Sequence, residues 1–64
     1  MKQLTLKAAR VNANLTQEKA AEMLGISPQS LSTYENYRHN MDIEVALKLA
    51  KIYNQDVNNI KFYN

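Results

Sequence analysis

The sequence predicts an all-α fold, a compact bundle of five short helices in one domain spanning residues 1–64. Three observations favour this class. Apolar residues recur at spacings of three and four along most of the chain, and capping residues precede several of these segments. Apolar and polar residues nowhere alternate over a sustained stretch, as they would in a half-buried strand. A domain of about 60 residues buries only about 60% of the surface that its unfolded chain exposes, so we expect one small core.

The first two helices follow from apolar spacing and from the residues that flank them. Helix one is predicted over residues 5–13, with three small or apolar residues on its inner face: Leu6, Ala9 and Ala13. Asn14 ends it, because Asn tolerates the left-handed conformation common just past a helix. Thr16 is a good N-cap for helix two, predicted over residues 17–24 and ended by Gly25. The inner face of helix two carries Ala20, Ala21 and Leu24.

Ser27 and Pro28 are the clearest helix start in the chain. Ser is a preferred N-cap, and Pro at the first helical position lacks only an N–H that the helix would leave unpaired. We therefore predict a third helix over residues 28–36. Only three residues separate it from helix two, which is typical of a helix-turn-helix formed by helices two and three.

A fourth helix is predicted from its cap, Asp42, to about Tyr53. Its expected core stripe is Ile43, Ala46, Leu47, Ala50 and Tyr53. A second apolar row comprises Val45, Leu49 and Ile52. Two apolar rows on one helix predict burial on two sides. Asp56 caps a last short helix over residues 57–60, after which Phe62 and Tyr63 add more apolar surface than a free end needs.

The composition argues against an enzyme. The chain has no Cys, one Gly and one His, His39, so it cannot form a disulfide, a Cys-based or multi-histidine metal site, or a glycine-rich nucleotide loop. We expect no catalytic residue, cofactor or metal. Lys7 and Arg10 interrupt the apolar stretch that a signal peptide needs, and no 18 apolar residues run together. A cytoplasmic protein without a membrane partner is therefore expected.

Charge gives only a weak indication of an anionic partner. The formal net charge is +2, from eight Lys and Arg against six Asp and Glu. Cations lie mostly towards the two ends, while residues 11–44 are acidic. The amide content is more informative, since 12 Asn and Gln among 64 residues offer hydrogen bonds without a charge preference.

Helix three separates into two faces. Leu31 and Tyr34 point one way, whereas four short polar residues point the other: Gln29, Ser32, Thr33 and Asn36. Such a face is suited to a DNA major groove, where carboxamides bond adenine and hydroxyls bond either purine or meet a thymine methyl. An ordinary solvated helix face is the alternative reading of the same residues.

In this context the sequence resembles the lambda-repressor-like, Cro-type helix-turn-helix family of phage and bacterial regulators. The resemblance covers about residues 4–60 and rests on these motifs: Leu15-Thr16-Gln17, Ala20-Ala21, Leu24-Gly25-Ile26-Ser27, Ser30-Leu31-Ser32, Tyr34-Glu35-Asn36, Leu49-Ala50 and Ile60. It implies that helix three reads bases through Gln29, Ser32 and Thr33, with Pro28 at a further base-reading position. It also implies backbone contacts from Gln17, Ser27, Ser30, Asn36, Arg38, His39 and Asn40.

Two features of the resemblance concern the protein's own structure. Tyr37 replaces the Gly that the family has in the turn after helix three, although a non-Gly residue with positive φ is disfavoured. The family further implies an ion pair between Arg10 and Glu35, partly buried between helices one and three. Such a pair would neutralise one acidic charge near the reading helix.

The resemblance implies a small repressor that binds a double-stranded operator in the nucleoid, with no small-molecule effector. A two-fold operator needs two recognition helices about 34 Å apart, which favours a homodimer at least on DNA. Its expected interface is Val45, Leu49, Ile52 and Phe62. The alternative is a protein-binding module on the same fold, such as an antitoxin or an antirepressor, that uses the face of helix four.

Overall fold

The computed structural model describes residues 3–63, and in this range the chain forms four α-helices rather than five. The helices are α1 (Leu6–Asn12), α2 (Gln17–Leu24), α3 (Pro28–Glu35) and α4 (Ile43–Ile52). The fifth predicted helix is a single 3-10 turn, Val57–Asn59, preceded by Asp56, whose carboxylate accepts the Asn58 N–H. Three residues are too few for an α-helical hydrogen bond to recur, so this part of the prediction is wrong.

Side-chain caps set where the first three helices begin. Three hydroxyl oxygens accept the backbone N–H three residues further on, each at 3.0 Å: Thr5, Thr16 and Ser27. Asp42 occupies the N-cap position of α4 with an extended backbone, but its carboxylate makes no capping hydrogen bond. Gly25 ends α2 in the left-handed conformation, with φ of 74°, as its sequence position predicted.

A parallel strand pair, which the sequence did not predict, joins the two ends of the described chain. β1 (Leu4–Thr5) pairs with β2 (Ile60–Lys61), so that Leu4 lies opposite Ile60. The expectation of no strands is therefore wrong. The sequence could not indicate these strands, because two residues are too few to show an alternating pattern. The Ile60 side chain is 1% exposed, which anchors β2 to the core.

The core is made of one inner face from each helix plus Met41 and Ile60. Its buried members are Leu6, Ala9, Ala20, Ala21, Leu24, Leu31, Met41, Ala46, Leu49, Ala50, Tyr53 and Ile60. The predicted inner face of α2 and the inward position of Leu31 are confirmed. Small Ala residues in α1, α2 and α4 let these short helices approach closely around a few large side chains.

The predicted core stripe of α4 is wrong in part. Ile43 is 69% exposed and Leu47 is 53% exposed, whereas Leu49 is fully buried. The observed stripe therefore contains Leu49 together with Ala46, Ala50 and Tyr53, at i, i+3, i+4 and i+7. Both apolar rows have helical spacing, and packing against α2 and the 3-10 turn determines which residues of α4 are buried.

Across residues 3–63, no helix is long and apolar enough to cross a membrane.

Candidate nucleic-acid interface

Helix α3 presents a polar face whose orientation is fixed by a buried residue on its opposite side. Leu31 is 0% exposed and lies in the core. Gln29 and Asn36 are exposed, and Ser32 and Thr33 are half-buried. The turn before α3 is also fixed, because Ile26 N–H donates to the Ala21 carbonyl oxygen at 3.0 Å. The four residues predicted to face outward therefore share one face, which we call the polar face: Gln29, Ser32, Thr33 and Asn36.

Part of the hydrogen-bonding capacity of the polar face is used within α3. The Thr33 hydroxyl donates to the Gln29 backbone carbonyl at 3.0 Å. The Asn36 side-chain amide donates to the Ser32 backbone carbonyl at 2.9 Å. Both contacts join residues four apart, where a short polar side chain reaches back to its own helix. The carboxamide of Gln29 takes part in no such bond within residues 3–63.

A shallow groove runs along one side of α3. It is lined by Ser27, Gln29, Ser30, Thr33, Tyr34 and His39. The Ser27 hydroxyl donates to the Ser30 hydroxyl at 3.0 Å while accepting the Ser30 N–H. His39, from the loop that follows α3, is exposed and shares this groove with the start of the helix. Five of the residues predicted for DNA contact thus line one concave surface together with half-buried Tyr34.

Arg10 and Glu35 form an ion pair between α1 and α3. Arg10 Nε donates to Glu35 Oε2 at 2.7 Å, and the two side chains are 10% and 6% exposed. Arg10 Nη1 also donates to the Leu15 carbonyl at 2.8 Å. The pair therefore connects α1, the segment before α2, and α3, and it removes the Glu35 charge from the outer surface.

Gln17 joins this buried pair to the surface. Its Nε2 donates to Glu35 Oε1 at 3.1 Å, and Gln17 itself is half-buried at the first position of α2. A carboxamide nitrogen has two hydrogens, so one remains for an external acceptor while the other holds the side chain in place. The family resemblance predicted a DNA contact for Gln17 and an ion pair between Glu35 and Arg10. Nothing in the sequence predicted the hydrogen bond between Gln17 and Glu35.

Tyr53 lies close enough to the ion pair to respond to its charges. Burial raises the pKa of Tyr53 to about 12, the Glu35 carboxylate adds to this rise, and the Arg10 guanidinium opposes it. The Tyr53 hydroxyl is buried without a hydrogen-bond partner among the described residues. A buried hydroxyl that lacks a partner costs stability, so this position is a weak point of the core.

The loop after α3 passes through a residue with a left-handed backbone that is not glycine. Tyr37 has φ of 58°, in the left-handed region. Its hydroxyl accepts the Leu6 N–H at 3.2 Å and donates to the Lys61 carbonyl at 2.7 Å. These two bonds offset the backbone strain and tie the loop to β1 and β2. The side chains of Arg38, His39 and Asn40 are exposed beside it, which is where the sequence placed backbone-contacting residues.

The predicted dimer interface is only partly accessible. Leu49 is 0% exposed in the core, so its assignment to an interface is wrong. Val45, Ile52 and Phe62 are half-buried against the same core. The more exposed apolar residues of α4 are Ile43 and Leu47, one helical turn apart.

Within residues 3–63, no three His, Cys, Asp or Glu side chains are grouped so that they could hold a metal.

The chain is similar to known regulators over most of its length. A family model described as Helix-turn-helix matches residues 6–58. The chain is 45% identical over 49 residues to the HTH-type transcriptional regulator ImmR of Bacillus subtilis, which covers 77% of this chain and 39% of ImmR, about two fifths of that relative. It is 34% identical over 58 residues to an uncharacterized HTH-type transcriptional regulator of Methanocaldococcus jannaschii, covering 91% of this chain and 88% of the relative.

A third relative, an uncharacterized HTH-type transcriptional regulator of Archaeoglobus fulgidus, is 25% identical over 59 residues. That match covers 92% of this chain and 83% of the relative. No solved structure matches the chain. The residues that the family model matches, 6–58, contain α1 to α4, and so they include the polar face, Gln17 and the buried ion pair.

Proposed function

Because this chain belongs to the Cro-type helix-turn-helix family of transcriptional regulators, we propose that it is a sequence-specific DNA-binding repressor whose α3 enters the major groove of a two-fold operator. The observation that carries the proposal is the polar face of α3. It is uncharged and backed by fully buried Leu31, so the chain holds an array of neutral hydrogen-bonding groups in a fixed orientation. The proposal assigns no small-molecule effector.

Two sets of residues have different roles in this proposal. Gln29, Ser32 and Thr33 read base edges, with Pro28 beside them, and they determine sequence preference. Phosphate contacts orient the domain and carry no sequence information. The residues assigned to them are Gln17, Ser27, Ser30, Asn36, Arg38, His39 and Asn40. The free hydrogen of the Gln17 amide supports its role, since Glu35 holds the side chain at the start of α2.

The proposed DNA complex contains two copies of the chain, because recognition helices about 34 Å apart match successive major grooves. The exposed Ile43 and Leu47 side chains support an apolar contact between copies, together with the partly buried Val45, Ile52 and Phe62. Sedimentation over a wide concentration range, with and without operator DNA, tests this. One copy per operator at saturation would contradict it.

Selection of bound duplexes from a random pool tests the main proposal. We expect a palindromic consensus. On that consensus, Gln29→Ala should cost about 1–3 kcal/mol at one base position and little on random DNA. Gln17→Ala should weaken binding to operator and random duplex alike. Gln3→Ala is the matched control, because the Gln3 amide is exposed, donates to the Asn58 carbonyl in the 3-10 turn and is not assigned to DNA contact.

Equal losses on operator and random DNA for Gln29→Ala would contradict base reading. Failure of the wild type to prefer any duplex would contradict the proposal as a whole.

The second candidate function is protein binding, as in an antitoxin or antirepressor, and exposed Ile43 and Leu47 favour it. A stoichiometric protein complex that survives high salt, and that Leu47→Ser abolishes, would identify this function.

A further inference from the structure

We propose that each copy reads two A·T base pairs, with Gln29 bonding adenine at one and the Thr33 methyl group contacting thymine at the other. This inference rests on the proposed function, since it requires α3 in the major groove. It goes further in naming the bases, and it follows from which donors and acceptors of the polar face are already used inside the helix.

Thr33 has no donor left for a base. A threonine hydroxyl carries one hydrogen and two lone pairs. The hydrogen of Thr33 is directed to the Gln29 carbonyl at 3.0 Å. Thr33 therefore offers DNA only acceptor lone pairs and a methyl group. Guanine presents two acceptors in the major groove, N7 and O6, which an acceptor cannot bond.

An A·T pair matches what Thr33 has left. It presents the thymine C5-methyl, which packs against an apolar group, and the adenine N6 amino group, which donates to an acceptor. A C·G pair presents an amino group but no methyl. Among the four base pairs, only those of adenine with thymine satisfy both the Thr33 methyl and its lone pairs.

Gln29 has the complementary property. It is exposed, and its carboxamide keeps both a donor and an acceptor because the helix uses only its backbone carbonyl. A carboxamide matches adenine, whose N7 accepts and whose N6 donates. Guanine is most often read by Arg or Lys, and α3, Pro28–Glu35, contains neither. The nearest cation along the chain is Arg38, in the loop beyond the helix.

The remaining members of the polar face do not change this preference. Asn36 donates its amide to the Ser32 carbonyl at 2.9 Å and also lies 3.5 Å from the Ser32 hydroxyl. Its side chain is thereby held against its own helix. Ser32 keeps its hydroxyl hydrogen, but a serine hydroxyl can form a hydrogen bond with either purine and so discriminates little.

Replacing thymine by uracil in the selected operator tests the inference on the DNA side, where folding of the protein is not affected. Uracil lacks only the C5-methyl. Burial of one methyl is worth about 0.8 kcal/mol, so uracil at the Thr33 position of one half-site should weaken wild-type binding about fourfold. Thr33→Ser removes the methyl from both copies, so it should bind the thymine operator about 15-fold more weakly and show no further loss with uracil. Thr33→Val keeps the methyl and should retain the full preference for thymine.

The matched controls are uracil outside the half-sites and Thr5→Ser in the protein, because Thr5→Ser removes the same methyl group from an exposed residue that is not assigned to DNA contact. Two results would overturn the inference while leaving the proposed function intact. One is specific binding in which no thymine responds to uracil, or responds equally in wild type and Thr33→Ser. The other is a consensus with G·C at the position where Gln29→Ala acts. Absence of any sequence preference would instead reject the proposed function.

Discussion

The Arg10–Glu35 ion pair is where one substitution should most damage this fold. Glu35 accepts from Arg10 Nε at 2.7 Å and from Gln17 Nε2 at 3.1 Å, and the two charged side chains are 10% and 6% exposed. Glu35→Leu would leave a nearly buried guanidinium with the Leu15 carbonyl as its remaining protein acceptor. The charge cannot be neutralised, because a guanidinium does not lose its proton in proteins.

The expected loss is large relative to the stability of so small a domain. Removing one member of a buried pair costs about 3–5 kcal/mol. At about 0.05–0.15 kcal/mol per residue, a chain of 64 residues has a total stability of about 3–10 kcal/mol. Glu35→Leu should therefore lose about a third of the total stability or more, and a wild type near the lower bound of this range would be left unfolded at 25 °C. The double variant Arg10→Met with Glu35→Leu replaces both charges by apolar side chains, and it should match the wild type or exceed it by about 1–4 kcal/mol.

Urea unfolding followed by circular dichroism measures these free energies. Glu22→Gln is the control, because Lys19 and Glu22 form an exposed pair at 3.7 Å with side chains 58% and 74% exposed. That variant should lose less than about 1 kcal/mol. Losses below about 1 kcal/mol for Glu35→Leu would refute the argument that the pair is buried. A double variant as unstable as the sum of the single losses would refute the argument that an uncompensated charge is the cause.

The same double variant separates folding from function. It keeps the fold, but it removes the carboxylate that holds Gln17. One lost hydrogen bond of about 0.5–1.5 kcal/mol should weaken binding to operator and random duplex alike, by about 2- to 12-fold. Unchanged affinity for both duplexes would show that Gln17 does not depend on Glu35 for its position.

Three further substitutions test the loops and the core. The pKa of Tyr53 is raised from 10 to about 12 on folding. Stability present below pH 10 should therefore fall by about 3 kcal/mol as the pH rises to about 12. Tyr53→Phe should abolish this fall in pH-dependent unfolding, whereas Tyr63→Phe, at an exposed position, should not. Tyr37→Phe should cost about 1–3 kcal/mol and accelerate hydrogen exchange at the Leu6 amide, and unchanged exchange would contradict the hydroxyl contact. Gly25→Ala meets no atom within 4 Å but must adopt φ of +74°, so it should cost about 1–2 kcal/mol in urea unfolding and Gly25→Asn less.

Sequence predicts the first three helices well because their boundaries are set locally. A hydroxyl bonds an amide three residues away at Thr16 and Ser27, and Gly25 adopts a left-handed backbone without the steric cost that a side chain would add. These are contacts within one turn of chain. The polar face of α3 is predictable for the same reason, since helical spacing alone assigns Leu31 to the opposite side.

Features that depend on distant parts of the chain are not predictable in this way. The orientation of α4 is one example, because Leu47 and Leu49 each belong to an apolar row and only packing against α2 and the 3-10 turn buries Leu49. The strand pair is another, since it joins Leu4 to Ile60 across most of the chain. Tyr37 is a third, because its hydroxyl must reach both Leu6 and Lys61 before a positive φ becomes tolerable.

The charge distribution links the proposed reading of A·T pairs to the proposed binding of two copies to one operator. The polar face of α3 contains no cation, and the one carboxylate in the helix, Glu35, is paired with Arg10. Counterion release gives a salt dependence of about −0.9 per phosphate neutralised, so a domain with few cations at the interface gains little affinity from it. Discrimination by Gln29 and Thr33 must then act on a weak single-domain contact. Two copies on one operator supply the missing affinity without adding charge, which is why a shallow salt dependence and two-fold symmetry should be observed together.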